Sequence, residues 1–144
     1  MVGGQAALGP AIRRLAGAGI RVSLFIDPDT AQVEAAATVG AAAVELHTGA
    51  WADATGATRA AELKRLQTAA GAVAARGLEC HAGHGLTFDT VSPVAAIPEV
   101  VELNIGHFLV SEAVFSGLEA AVAKMKRLMT EARVPGRLAG QGGQ

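Results

Sequence analysis

The sequence predicts an α/β fold built on a parallel sheet, and three observations carry that prediction. Short apolar stretches alternate with longer segments of helical periodicity along the chain. The connections between them are short, as right-handed crossovers between neighbouring parallel strands allow. Finally, the four histidines, His47, His81, His84 and His107, all fall at or just past the C-terminal ends of predicted strands. That is where parallel α/β folds place their ligands.

Taken in order, residues 5–18 read as a helix with Leu8, Ala11, Ile12 and Leu15 on one face, Pro10 in the first turn and Gly19 at the end. An apolar strand follows over 21–27. After the Pro28-Asp29 turn, Asp29 and Gln32 have the spacing of a capping box for a helix reaching about residue 39, closed by Gly40. The second strand covers 42–48. Alternation along it places Val44 and Leu46 on one face and Glu45 and His47 on the other.

A loop through Trp51 and Gly56 leads to a helix over 58–76. Its stripe is Leu63, Leu66, Ala70, Val73 and Ala74, and Gly77 caps it. The third strand is 78–82 and opens into Gly83-His84-Gly85. A short helix over 91–97 ends at Pro98, and the fourth strand, 100–105, ends in Gly106-His107. A short irregular or helical stretch then leads to Ser116, which with Glu119 has capping-box spacing. The last helix runs to about residue 133, with Leu118, Ala121, Val122, Met125, Leu128 and Met129 inward. Residues 134–144 are rich in glycine and read as a disordered tail. Four strands and five helices in one domain, residues 1–133, is the expectation.

Composition narrows the function. The 144 residues are 51% hydrophobic and 17% charged, enough to bury a single core. Net charge is −1 with no basic run, and aromatics are 3%, so nucleic acid is not an expected partner. The single Cys80 excludes an intrachain disulfide and any multi-cysteine metal site. It reads as a small buried hydrophobe. No apolar run approaches membrane-spanning length and no leader pattern opens the chain, so the expected location is the cytoplasm, away from membrane.

The polar residues then define a candidate site. Gly83, Gly85 and Gly106 free backbone N–H groups to face an oxyanion, and a following helix N-terminus adds its dipole. Imidazole moves protons near neutral pH. These features favour a phosphate over a metal ion, and the absence of Rossmann or Walker glycine patterns argues against a dinucleotide or a nucleoside triphosphate. Glu45, buried beside histidines, suits acid–base work or the stabilisation of developing positive charge, or else a structural ion pair. Glu102 and Asn104 either line a polar interior or contact a ligand. Trp51 reads as a packing aromatic in preference to a lid.

Several motifs, in order and with matching separations, resemble the pyridoxine 5′-phosphate synthase family. They are Arg21-Val-Ser-Leu-Phe-Ile-Asp27, Glu45-Leu-His-Thr-Gly49, Ala82-Gly-His-Gly-Leu86, Glu102-Leu-Asn-Ile-Gly-His107, Met125-Lys-Arg-Leu-Met129 and Glu131-Ala-Arg133. The resemblance covers about residues 2–133. It implies parallel (β/α) units resembling the second half, strands five to eight, of a TIM barrel. It also implies condensation of 1-deoxy-D-xylulose 5-phosphate with 3-amino-2-oxopropyl phosphate to pyridoxine 5′-phosphate in vitamin B6 biosynthesis. By motif, His84 resembles the family's proton donor and Glu45 its transition-state-stabilising carboxylate. Gly85, Gly106 and His107 resemble the residues that bind the amino-ketone phosphate. No cofactor and no metal are implied; the expected partners are small phosphorylated substrates and further copies of the chain in a homo-oligomer. A complete barrel takes roughly 250 residues, so the first four strands have no counterpart here. Three readings follow: half of an enzyme, inactive alone; a stand-alone phosphate-binding half-barrel without catalysis; or a non-functional remnant.

Overall fold

Helix and strand alternate along the chain in the computed structural model, which describes residues 2–134. The predicted tail lies, from residue 135 onward, outside the described residues. Among the described residues the order is α1 (Gln5–Gly17), β1 (Ser23–Ile26), α2 (Thr30–Thr38), β2 (Ala43–His47), α3 (Gly49–Asp53), α4 (Gly56–Ala75), β3 (Glu79–Gly83), α5 (Val91–Ala95), β4 (Val100–Asn104), α6 (His107–Ser116) and α7 (Leu118–Ala132). No helix among them is long and apolar enough to cross a membrane.

The strands pair in the order β1-β2-β3-β4, all parallel. Each crossover steps one strand onward in the same direction, and the right-handed rule for parallel crossovers then places the connecting helices on one face of the sheet. The expected α/β class is therefore observed as (β/α) units in sequence order, the arrangement of a half-barrel. The covered face holds the core. Val44, Leu46, Cys80, Ala82 and Val100 project from the strands against Val33 and Ala36 of α2, Leu66, Ala70 and Val73 of α4 and Val94 of α5. The alternation predicted for β2 is what the structure shows: Val44 and Leu46 are buried, Glu45 and His47 only partly so.

The opposite face is polar. Register sets Phe25, Glu45, His81 and Glu102 in one row across all four strands, with His47, Gly83 and Asn104 in the row above. Between Cys80 and His81 the pairing with β4 slips by one residue. Val101 is the extra residue of this bulge and lies 65% exposed on the edge strand.

Some local expectations are corrected. There are seven helices among the described residues, because Gly49–Asp53 and His107–Ser116 are helical. The first is too short for a periodic signal. Pro10 lies inside α1, beyond the first turn, since the helix already starts at Gln5 with Ala7 and Leu8 N–H donating to Gly4 O. Asp29 does cap α2, accepting from Ala31 N at 2.7 Å, but Gln32 does not complete a box; its Oε1 accepts from Val2 N instead. Ser116 is no cap. Its hydroxyl donates back to Glu112 O within α6, and Gly117 at φ +82° makes the break before α7. Of the inward set on α7, Ala121 and Met125 are buried, whereas Leu118 and Val122 are exposed. They continue an apolar surface from α6, where Val110, Val114 and Phe115 are exposed, Phe115 by 90%.

Candidate active site

At the C-terminal ends of the strands a cleft of about 620 Å³ opens on the polar face. It brings together the five residues singled out in the sequence: Glu45, His84, Gly85, Gly106 and His107. β2 supplies Glu45 from its open face, the turn after β3 supplies His84 and Gly85, and the start of α6 supplies Gly106 and His107.

Glu45 is oriented from two sides. Asn104 Nδ2 donates to its Oε2 at 2.9 Å. Its other oxygen lies over Gly83, where a Cβ would collide with Glu45 Oε1 and sit 2.6 Å from Asn104 O. Glycine at position 83 is therefore a condition for the carboxylate to reach the cleft.

His84 stands at φ +81°, a left-handed conformation that a residue with a side chain rarely adopts. Its imidazole stacks on that of His47, centroids 4.6 Å apart and planes at 27°. Phe25 closes the cluster, 5.1 Å from His47 and 6.3 Å from His84. Gly85 follows at φ +76°, and a Cβ there would meet Ala52 Cβ at 3.2 Å. Gly106 is different: no neighbouring atom lies within 4 Å of a Cβ position, and it is the N-cap of α6. The ten-residue α6 thus directs its unpaired N–H groups and the positive end of its dipole toward the cleft.

The remaining histidine, His81, does not join this cluster. It sits in the middle of β3 and not at its end, and it is buried. Its Nε2 is 2.8 Å from Glu79 Oε1 and its Nδ1 is 3.4 Å from Glu102 Oε1. Arg21 Nη2 lies 2.5 Å from Glu79 Oε2, extending the chain of charges to the β1 end of the sheet. The hydrogen bond from Arg21, then that from His81, holds the Glu79 carboxyl below its ordinary value, and Glu79 in turn raises Arg21. Glu102 thus belongs to this polar row, while Asn104 belongs to the cleft. Cys80 faces the core; burial, reinforced by the Glu99 charge, pushes its thiol up to about 12.

Trp51 is a packing aromatic. It is buried in α3, its indole N–H donates to Thr90 O at 3.1 Å, and the Arg59 guanidinium lies 4.9 Å from the ring. Sequence reasoning passed over Phe25, Phe108 and Ser111, which line the cleft. Phe25 carried a readable signal, since alternation in β1 sets it on the same face as Glu45. Thr48, buried and bonded to the His84 turn, carried none.

An imidazole, an oriented carboxylate and a helix N-terminus line one strand-end cleft of a (β/α) protein. Comparison with known proteins gives the family. The model of the family described as pyridoxal phosphate biosynthesis protein PdxJ matches residues 1–131, and the chain belongs to that family. It is 56% identical over 133 residues to the pyridoxine 5′-phosphate synthase of Rhodospirillum rubrum, covering 92% of this chain and 53% of that protein. Against the synthase of Gluconobacter oxydans the values are 57% over 129 residues, 90% and 54%. Against that of Ruegeria pomeroyi they are 59% over 119 residues, 80% and 48%. The chain spans about half the length of these relatives.

Proposed function

We propose that this chain is the C-terminal half of a pyridoxine 5′-phosphate synthase barrel. In this reading it works on the condensation of 1-deoxy-D-xylulose 5-phosphate with 3-amino-2-oxopropyl phosphate, which yields pyridoxine 5′-phosphate with loss of water and inorganic phosphate. The observation that carries the reading is the convergence of Glu45, His84, Gly85, Gly106 and His107 on one cleft.

His84 is the proton donor, its ring exposed at the cleft wall. Glu45, fixed by Asn104, holds positive charge that develops during the reaction. Gly85, Gly106 and His107, with the N-terminus of α6, cradle the phosphate of the amino ketone. Neither cofactor nor metal enters this scheme. The other half-barrel contributes the second wall of the site and the second substrate's contacts. The protein acts in the cytoplasm; its assembly as a homo-oligomer is the part of the reading supported by the exposed apolar surface of α6 and α7.

The test is complementation. The chain is co-produced with the half of the Rhodospirillum rubrum synthase that it does not match, and product absorbance is followed with both substrates. Turnover is expected, and His84→Asn should lower it by roughly 10²–10⁴-fold. Unchanged turnover in that variant removes His84 from the mechanism. A second reading, a stand-alone phosphate-binding half-barrel, is favoured by the fact that this chain by itself brings Gly85, Gly106 and His107 together with the N-terminus of α6. Phosphate binding by the chain, with no turnover on complementation, would select it.

A further inference from the structure

Thr48 is a buried polar residue at the end of β2 with no part in the scheme above. Its amide donates to Gly83 O at 2.8 Å. Its hydroxyl Oγ1 lies 2.7 Å from Gly83 O and 2.6 Å from His84 O. A threonine hydroxyl has one proton to give. Gly83 O already accepts the amide, so the hydroxyl is the donor on which His84 O depends.

These two carbonyls belong to the peptide planes on either side of His84. Fixing both planes fixes the φ and ψ of the residue between them. That residue is the one non-glycine at positive φ among the described residues, a conformation that persists only where the surroundings impose it. The direction of the His84 Cα–Cβ bond, and with it the stacking on His47, follows from those torsions.

We infer that Thr48 is a positioning residue, whose hydroxyl sets the backbone torsions of His84 and so aims the imidazole into the cleft. The inference rests on the reading of His84 as the proton donor of the site, but its test uses no turnover. Ring contacts between His47 and His84 are measured by NMR as cross-relaxation between their imidazole C–H protons. The samples are the full chain and its Thr48→Val and Thr48→Ser variants.

Thr48→Val is expected to abolish the contact and shift the His84 ring resonances, while the methyl resonances of Leu66 and Val73 in the core hold. Thr48→Ser should restore the contact. Retention of the contact in Thr48→Val, or its loss in Thr48→Ser, overturns the inference. If Thr48→Val does not fold, the double variant Thr48→Val/His84→Gly decides. Glycine adopts positive φ without help, so the double variant folds if the hydroxyl serves His84. It fails like the single variant if Thr48 is needed only for packing, which overturns the inference. The activity of His84→Asn in the complemented barrel tests the role of His84 itself, so the two failures are distinguishable.

Discussion

The Glu45 carboxylate lies across Gly83 on the neighbouring strand, occupying the space a β-carbon would need. Two functional requirements meet at this point: a glycine to leave room and Asn104 to hold the other oxygen. Gly83→Ala should therefore push Glu45 aside and press on Asn104 O. Overpacking of this kind costs about 1–3 kcal/mol. A urea titration of the chain should show a lower midpoint at unchanged slope; an unchanged midpoint would mean that β2 and β3 yield at no cost.

Acidification should weaken the sheet through Glu79. Its carboxyl is depressed first by Arg21 and then by His81, so its contribution is present above the ordinary value of 4.5 and is lost as pH falls through the lower folded value. Thermal unfolding from neutral pH to below 4.5 should show a stability difference between the chain and Glu79→Gln that shrinks in acid. A difference that stays constant would detach Glu79 from the acid limb.

Cys80 should be chemically silent in the folded chain. Its thiol is buried against the core and raised to about 12, so almost no thiolate is available near neutral pH. A thiol reagent added during a urea titration should react in step with unfolding. Fast labelling in the absence of urea would require β3 to open independently of the rest.

The chain on its own should not make pyridoxine 5′-phosphate. Ring closure needs several proton transfers, each worth roughly 10²–10⁴-fold when a positioned group serves it. This chain offers His84 and Glu45 on one wall of an open cleft. Incubation with both substrates should give no product absorbance; turnover within about tenfold of the complemented barrel would show that a single wall suffices, tenfold being about 1.4 kcal/mol in the barrier.

Phe115 should matter to assembly and not to folding. It is 90% exposed beside Val114 and Leu118, and none of α6 is buried. Phe115→Asp should leave the circular dichroism spectrum unchanged and lower the sedimentation coefficient of any oligomer. An identical oligomer in the variant would place the contact between copies elsewhere.

What could be read from the sequence was whatever has a short period or a local cap. The alternation Val44-Glu45-Leu46-His47 specified the two faces of β2, and Asp29 declared the start of α2. The strand-end glycines and histidines pointed to one end of the sheet, and the structure places all but His81 around it. Bonds between distant residues were not legible. Nothing local distinguishes Thr48, whose partners are 35 and 36 residues away. Nor does anything local reveal that Ser116 would bond backward to Glu112 instead of capping forward. Periodicity predicted that Leu118 and Val122 share a face with Ala121 and Met125, but a helical stripe does not say how much of its width a neighbour covers.

The strand order has a bearing on how such a chain can change. Because β1 to β4 never double back, each (β/α) unit adds one wedge to an arc. Wedges can be appended at the β1 rim or at the β4 rim without rethreading those already in place. A doubly wound sheet, which reverses at its middle, lacks this freedom. In such an open series an added unit pairs with a rim strand, β1 or β4, and the register among β1 to β4 does not have to change.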